Sequence, residues 1–219
     1  MEANIVAVTP DSAPARPARV GGTGRSGRAD RPVYDLPSLV GVAVGVFNER
    51  GYDATSMEDL SRAAGITKSS FYHHVSGKEA LLHAALERAL DGLFAVLDEQ
   101  AAREGTPIAR LRHVVARQIA VLAAELPYVT LLLRVRGNTE TERWALERRR
   151  AFDAAVAELV GHAVEAGEIR SDVSPAIAAR LLSGTVNSLV TWYRPGRVEV
   201  PQLVDEVARV TFEGLVPRG

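Results

Sequence analysis

The chain has 219 residues, 47% of them hydrophobic and 24% charged, so it is long enough to bury a core and polar enough to stay dissolved. Its formal net charge is −1, so a polyanionic partner must meet a local basic patch rather than the whole surface. There is no cysteine, which excludes a disulfide framework, a zinc–thiolate site and a thiol nucleophile.

The chain carries no recognisable membrane or export signal. No apolar run approaches the roughly 20 residues of a membrane span. The N-terminus lacks the charged-then-apolar order of a signal peptide. We therefore expect a cytoplasmic protein that does not contact a membrane.

Residues 1–35 are rich in Pro, Gly and Ala and show no apolar periodicity that could bury a face. They include Arg16, Arg19, Arg25, Arg28 and Arg31. We predict a disordered basic arm, which is either an inert extension or an arm that touches the DNA backbone or minor groove. The final LVPRG is either a native helix end or a protease-site remnant, and it carries no functional argument.

After Pro37, apolar residues recur at three- and four-residue intervals between helix start and stop signals, and strand alternation is nowhere sustained. The pattern predicts an all-α fold of about nine helices. Start signals include two capping boxes, at Ser56 and Ser76, and the caps Thr67, Thr106 and Thr139.

Between Gly51 and Lys78 the order is helix, turn containing Gly65, then a short polar helix, which is the spacing of a helix-turn-helix. In the second helix, Phe71 and Val75 lie four residues apart and can anchor its inner face. The outer face offers hydroxyls, a cation and a histidine, on Thr67, Lys68, Ser69, Tyr72 and His73.

The charge pattern of this segment favours a polyanion. No acidic residue occurs from Leu60 to Lys78, while Arg62, Lys68 and Lys78 add positive charge. Lys68 and Lys78 are the only lysines in the chain. Lys78 falls in the first turn of the next helix, where bare backbone N–H groups and an ammonium together suit a phosphate.

Neither a metal site nor an active site is predicted. The adjacent His73 and His74 point about 100° apart on a helix and cannot share one ion. His83 and Glu87 have ligand-compatible spacing, but a lone pair of this kind is typical of a solvated ion pair. There is no glycine-rich phosphate loop and no nucleophile elbow, so we expect neither enzymatic activity nor a cofactor.

The stretch GYDATSMEDLSRAAGITKSSFYHHVSGKEALL resembles the DNA-binding signature of the TetR family of one-component transcriptional regulators, and the resemblance covers residues 39–86. It implies a helix-turn-helix DNA-binding domain at 36–82 and a helical ligand-binding and dimerisation domain at 83–215. It also implies a homodimer, formed largely by the last two long helices, on a palindromic double-stranded operator.

By the same resemblance, the residues that fall where the family contacts DNA are Thr55, Thr67, Lys68, Ser69, Tyr72, His73 and Lys78. Of these, Tyr72 and Lys78 resemble contacts to the DNA backbone. Ser69 stands where glycine or alanine is common and Val75 where an aromatic residue is common, which leaves the base preference open.

Residues 129–153, VTLLLRVRGNTETERWALERRRAFD, and residues 187–196, NSLVTWYRPG, resemble the acyl-CoA-responsive branch of the family, and most closely its regulators of phenylacetate degradation. An acyl-CoA requires an apolar slot beside several arginines. Six arginines are candidates: Arg134, Arg136, Arg143, Arg148, Arg149 and Arg150. Any of them can instead pair with glutamates on a solvated helix face.

The residues we predict for the ligand site are Arg134, Arg143, Trp144 and Asn187. Asn187 is a polar amide in an apolar helix, so it either reads a thioester carbonyl or bonds to a neighbouring helix. Trp192 and Tyr193 are read as core or dimer-interface residues.

These observations predict a homodimeric DNA-binding repressor released by a small-molecule effector, an acyl-CoA such as phenylacetyl-CoA. One alternative is a TetR-type regulator that responds to a drug or another hydrophobic ligand. Another is a helical acyl-CoA-binding protein without a DNA function, which would have no need of an exposed Thr67, Lys68 and Tyr72 surface.

Overall fold

The structure is a computed structural model that describes residues 35–214. In chain order its elements are α1 (Leu36–Arg50), α2 (Met57–Ala64), α3 (Lys68–Tyr72), α4 (Lys78–Asp98), α5 (Gln100–Arg103), α6 (Pro107–Ala124), α7 (Leu126–Arg134), α8 (Glu140–Glu165), α9 (Pro175–Trp192), α10 (Val200–Ala208) and a π-helical turn (Arg209–Glu213). Within residues 35–214 there is no strand, and the all-α prediction is confirmed.

Two parts of the prediction concern segments outside this range. The basic arm at 1–35 lies outside the described residues except for Asp35, and LVPRG at the C-terminus also lies outside them. Disorder of the arm and its contact with DNA therefore stay predictions. Within the described part, α5 raises the number of α-helices to ten, against the nine or so expected, because a short helix forms again at Gln100 after α4 ends at Asp98.

The helices begin where side chains satisfy the first free backbone N–H groups. At Ser56 the predicted capping box forms: the hydroxyl accepts from the Asp59 N–H at 3.2 Å, and the Asp59 carboxylate accepts from the Ser56 N–H at 3.0 Å. Each predicted threonine cap also accepts a backbone N–H three residues later; these are Thr67, Thr106 and Thr139.

The capping box predicted at Ser76 is wrong. α4 is capped by Gly77 without any side-chain hydrogen bond, so the helix begins one residue later than the box requires. In this register Glu79 is the second helical residue rather than the third, and its carboxylate cannot return to the Ser76 N–H. The short helix α3 ends at Tyr72, so Val75 lies just beyond it.

The hydrophobic core runs without a break from the first helices into the rest of the molecule. One cluster joins Phe47 of α1 and Phe71 of α3 to Leu203 of α10. A second cluster lies around Leu111 of α6 and Phe152 of α8. The 21-residue helix α4 contributes to both clusters, as do α6, α8 and α9.

The predicted boundary between 36–82 and 83–215 falls inside α4, which continues through it as one helix. The helix-turn-helix therefore shares its core with the rest of the described chain. A displacement of α4 by the second part must move the first part with it, because packed helices shift as units rather than deform continuously.

α6 and α7 meet at a bend of 102°, with Pro127 in the first turn of α7. Among the described residues, no single helix is long and apolar enough to cross a membrane. Only α6 and α7 taken together across their bend meet that length and composition test.

Candidate DNA-contact surface and ligand cavity

The outer side of α3 carries the polar side chains that the sequence assigns to DNA. Phe71 and Val75 are only 0% and 7% exposed and anchor the inner side, as predicted. The predicted outer residues are all exposed: Thr67, Lys68, Ser69, Tyr72 and His73. Hydroxyl, ammonium, phenol and imidazole groups therefore line the exposed side of a helix narrow enough to enter a major groove.

Arg62 contributes less positive charge to this surface than its place in the sequence suggests. Its guanidinium lies 3.0 Å from the Glu58 carboxylate and 3.5 Å from the Asp59 carboxylate, both in the same helix. Asp59 also receives a bond from Arg50 at 3.1 Å. Lys68 is left as the exposed cation of α3.

Lys78 fastens the loop between α1 and α2 to the start of α4. Its ammonium donates hydrogen bonds to the carbonyl oxygens of Tyr52 at 3.1 Å and Thr55 at 3.0 Å. It also lies 4.4 Å from the centroid of the Tyr52 ring, a cation–π contact. Burial, followed by nearby Glu79, raises the pKa of the Tyr52 phenol to about 12, so the ring stays neutral. The predicted phosphate contact is left with the remaining donor of Lys78.

Thr55, predicted from the resemblance to contact DNA, has a buried side chain. Thr55 is only 2% exposed, and its hydroxyl donates to the Gly51 carbonyl at 2.7 Å. The hydroxyl is therefore engaged within the loop, and the DNA contact of Thr55 stays a prediction. The carbonyl of the same residue holds Lys78.

A small cavity of about 50 Å³ lies among α4, α6, α7, α8 and α9. Most of its wall is apolar, with Leu93, Val121, Leu132 and Phe152 among the lining residues. Asn187, predicted from sequence to meet the ligand, lines it. The cavity has room for only a few water molecules, so a larger ligand must push the surrounding helices apart.

Polar side chains interrupt this apolar wall: Gln118, Arg149, Asp153, Ser183 and Asn187. Ser183 donates to the Asp153 carboxylate at 3.1 Å. Burial lowers the pKa of the Arg149 guanidinium, and the negative charge of Asp153 opposes that shift. Arg149 is therefore partly stripped of water where it borders the cavity.

The other three predicted ligand residues lie away from the cavity. Arg134 donates to the Asn48 carbonyl at 2.5 Å and lines a wider cleft of about 750 Å³ beside the end of α1. Arg143 donates to the Gly137 carbonyl at 3.3 Å, and Trp144 stacks on His83 with ring centroids 4.5 Å apart. The structure thus separates Asn187 from the residues it was grouped with.

Two cavity residues, Gln118 and Arg149, are polar residues on otherwise apolar helix stripes, and this pattern is visible in the sequence. Arg149 lies on the same stripe of α8 as the buried Ala145 and Phe152, at spacings of four and three residues. Gln118 occurs on the buried stripe of α6, next to Ile119. A polar side chain on an apolar stripe needs a buried partner or a cavity, and that criterion selects both.

The start of α8 is tied to the helix-turn-helix side of the molecule. Glu142 is 5% exposed, and its carboxylate accepts three backbone N–H groups, the shortest from Asn138 at 2.7 Å. The Thr141 hydroxyl donates to the Glu79 carboxylate of α4 at 3.1 Å. The helix that carries Arg149 is thereby bonded to the helix that carries Lys78.

Within residues 35–214, no three His, Asp or Glu side chains come together in a way that could hold a metal ion. His83 and Glu87 lie 4.0 Å apart at the surface, an arrangement typical of a solvated ion pair.

Two family profiles match the chain. The profile described as "Bacterial regulatory proteins, tetR family" matches residues 39–85, and that described as "Tetracyclin repressor-like, C-terminal domain" matches residues 104–215. The first match contains α3 and the start of α4. The second contains most of the lining of the cavity.

Individual proteins that are similar to this chain point to the same family as the profiles. The HTH-type transcriptional repressor KstR2 of Rhodococcus jostii (strain RHA1) is 30% identical over 197 residues, which are 88% of this chain and 93% of that protein. The TetR-family member SCO3833 of Streptomyces coelicolor A3 is 58% identical with a TM-score of 0.80, over 86% of this chain and 94% of that one.

A third relative was crystallised with ligand and DNA. The structure of AibR in complex with isovaleryl coenzyme A and operator DNA is 25% identical to this chain with a TM-score of 0.71, over 81% of this chain and 97% of that one. None of these three is named as a regulator of phenylacetate degradation, the branch that the sequence most resembled. KstR2 is named as a transcriptional repressor, SCO3833 as a member of a transcriptional regulator family, and AibR as a complex with operator DNA. The chain belongs to the TetR family of bacterial transcriptional regulators.

Proposed function

We propose that the chain is a homodimeric repressor whose two copies of α3 enter successive major grooves of a palindromic operator, and that an acyl-CoA releases it. The observation that carries the effector class is the cavity, in which polar donors interrupt an apolar wall. As a DNA-binding regulator, the protein would work in the cytoplasm.

The DNA contacts that we propose come from the exposed side of α3 and from the start of α4. Lys68, Tyr72 and Lys78 supply donors to phosphate, which position the protein without reading sequence. Ser69 and His73 supply groups for base edges. As a prediction, Ser69→Ala changes the base preference of selected operator sequences; an unchanged preference would remove Ser69 from base contact.

The exposed side of α9 supports the dimer. Ile177, Leu181 and Trp192 are 58%, 66% and 52% exposed, which is unusual for side chains of this size on one helix. The first two lie one turn apart, and Gly184 and Ser188 extend the same stripe with small side chains. Pairing this stripe with its copy would bury it and fix the distance between two α3 helices.

The acyl-CoA class is supported by the cavity and by one relative. AibR was crystallised with isovaleryl coenzyme A and operator DNA. In our chain the cavity offers an apolar wall for an acyl chain together with the Asn187 amide and the Arg149 guanidinium. Phenylacetyl-CoA is the acyl-CoA that we would test first, since residues 129–153 and 187–196 resemble regulators of its degradation.

Release would follow from a population shift. An acyl group is larger than a cavity of about 50 Å³, so its binding favours a form in which the lining helices have moved apart. α4 lines the cavity through Ala89 and Leu93 and also starts at Lys78, so the same movement reaches the helix-turn-helix. A dimer with a different separation of its α3 helices cannot span both half-sites.

The test is fluorescence anisotropy of the protein on labelled DNA from upstream of its own gene, at several salt concentrations. Phenylacetyl-CoA, isovaleryl-CoA and a long-chain acyl-CoA are then titrated in, with free phenylacetate as the control. Release by an acyl-CoA but not by the free acid supports the proposal. Tight binding that no acyl-CoA reverses would retain the DNA function and reject the effector class. Absence of specific binding would favour the acyl-CoA carrier instead.

A further inference from the structure

The cavity is lined by polar groups that can face a ligand. Gln118 is 6% exposed and Asn187 is half-buried, and both residues border the cavity. Arg149 reaches the same space, and burial lowers its pKa. Amide and guanidinium donors that border a mostly apolar cavity are complemented by a ligand that accepts hydrogen bonds.

The charge of the cavity wall is balanced before any ligand arrives. Arg149 contributes one positive charge and Asp153, one turn later on α8, contributes one negative charge. Ser183 holds the Asp153 carboxylate in place with a hydrogen bond of 3.1 Å. A carboxylate entering this space meets Asp153 as well as Arg149, and it loses its own hydration, whereas an uncharged carbonyl loses far less.

We infer that Gln118, Arg149 and Asn187 form a reader for an uncharged acyl carbonyl, and that Asp153 excludes the free acid. The inference rests on the proposed function, because it assigns the thioester carbonyl of the acyl-CoA to this cluster. It makes Asp153 a specificity-determining residue: it prevents the protein from responding to the acid from which the thioester is formed.

The role of Asp153 is separable from its structural bond. Asp153→Asn keeps an oxygen that accepts from Ser183 but removes the negative charge, which leaves Arg149 unbalanced. The variant should bind free carboxylic acids about tenfold or more tighter than the parent, because a repelling charge has gone from the wall. Its affinity for the matched uncharged thioester should change by less than about threefold.

The probes are phenylacetate and isovalerate, each paired with its N-acetylcysteamine thioester, which is uncharged and lacks the nucleotide. Binding is measured by calorimetry on the full chain, and thermal melting checks each variant. The readout is the ratio of the dissociation constants of acid and thioester. Asp153→Asn is expected to lower this ratio; an unchanged ratio in a folded variant overturns the inference.

Two further variants test the inference if Asp153→Asn is unstable. Asn187→Leu removes a donor without changing charge, so it should weaken the acid and the thioester alike. Arg149→Met should weaken thioester binding about tenfold or more, since a charged donor to the carbonyl is lost. Arg150→Met, an exposed neighbour on α8, is the matched control and should leave both constants unchanged. Full thioester affinity in Arg149→Met and Asn187→Leu would overturn the inference.

Failure of the inference and failure of the proposed function give different results. If acyl-CoA releases the parent protein from DNA while these variants leave the acid-to-thioester ratio unchanged, the repressor proposal stands and the carbonyl reader is rejected. If no acyl-CoA or thioester binds the parent protein, both are rejected.

Discussion

Lys68 and Lys78 carry the same charge but differ in their surroundings. Lys68 is exposed on α3, whereas two carbonyl oxygens and the Tyr52 ring hold the ammonium of Lys78. A lysine with such partners contributes to folding as well as to charge. The two residues should therefore respond differently to removal of their ammonium groups.

We expect Lys68→Ala to lower the slope of log K against log salt by about 0.9 for each protomer, or about 1.8 for a dimer on its operator, with an unchanged melting temperature. Lys78→Met should in addition lower the free energy of unfolding by about 1–3 kcal/mol, because hydrogen bonds from a charged donor are lost. Anisotropy at several salt concentrations and urea unfolding measure both. A Lys78→Met protein as stable as its parent would show that the ammonium does not hold the loop.

Glu99 lies between α4 and α5 and joins them to α6. Its carboxylate accepts a bond from Arg117 at 2.8 Å and lies 2.6 Å from the His113 ring nitrogen. These bonds, the Arg117 bond first, hold the pKa of Glu99 below its ordinary value. The stabilisation is thus present above the ordinary pKa and is lost as the pH falls through the lowered one.

Glu99→Gln should therefore reduce the free energy of unfolding at pH 7, by about 1 kcal/mol or less for a partly exposed pair. The difference in the free energy of unfolding between variant and parent should shrink as the pH drops below about 4.3, and it should not grow again at lower pH. Urea unfolding between pH 7 and pH 3 measures it. A difference that is independent of pH would assign the effect to packing rather than to charge. Glu104→Gln, an exposed change nearby, serves as the control.

The sequence predicts single residues well where local chemistry decides the outcome. Asn187 was found because an amide in an apolar helix must face a partner or a cavity. Trp144 lies away from the cavity because the arginine-rich stretch allows several faces of α8 to turn inward, and only packing against α4 and α9 selects one; its role in ligand binding stays a prediction. Arg149 was one of six candidates until that packing was known.

Helix boundaries were also predicted well where local chemistry sets them and less well where tertiary packing does. Local caps fixed the starts of α2, α3, α6 and α8, since a hydroxyl and an N–H three residues apart suffice to form each cap. The start of α4 shifted by one residue because Gly77 allows the chain to enter the helix without a side-chain cap. How far α4 continues past the predicted boundary depends on tertiary burial.

The contact between α8 and α4 gives a test of coupling between cavity and DNA surface. Thr141→Val removes the hydroxyl that donates to Glu79 but keeps the size of the side chain. Acyl-CoA binding by the protein alone should be unchanged, while the coupling free energy between effector and operator should fall by about 0.5–2 kcal/mol. Anisotropy with and without effector measures that coupling. Glu140→Gln, an exposed change in the same turn, is the control; equal coupling in both variants rejects this route.

At the scale of the whole molecule, a net charge of −1 gives no overall attraction to DNA. Affinity must come from local contacts, and a dimer makes each of them twice. Under this arrangement, effector and operator must weaken each other by the same factor. The effector affinity of the DNA-bound protein is therefore lower than that of the free protein. Either measurement predicts the other.

Leu181→Glu should convert the protein to a monomer, because a charge then lies in the apolar stripe of α9 that is 66% exposed at this position. Operator affinity should fall by about 100-fold or more, since two linked contacts become one. Light scattering after size exclusion gives the oligomeric state. Gln202→Glu on the exposed side of α10 is the matched control. A Leu181→Glu protein that stays dimeric would remove this stripe from the interface.

The two lysines also provide the side-chain amines that can react with an amine-specific label. Apart from the α-amino group, every acylatable amine of the chain lies in or next to the helix-turn-helix, and carbonyl bonds engage one of the two. An amine-specific label should therefore react fastest at Lys68 and slow down there when operator occupies α3. The mass added at this single side chain would report how much of the protein is bound to DNA, without a dye on either partner.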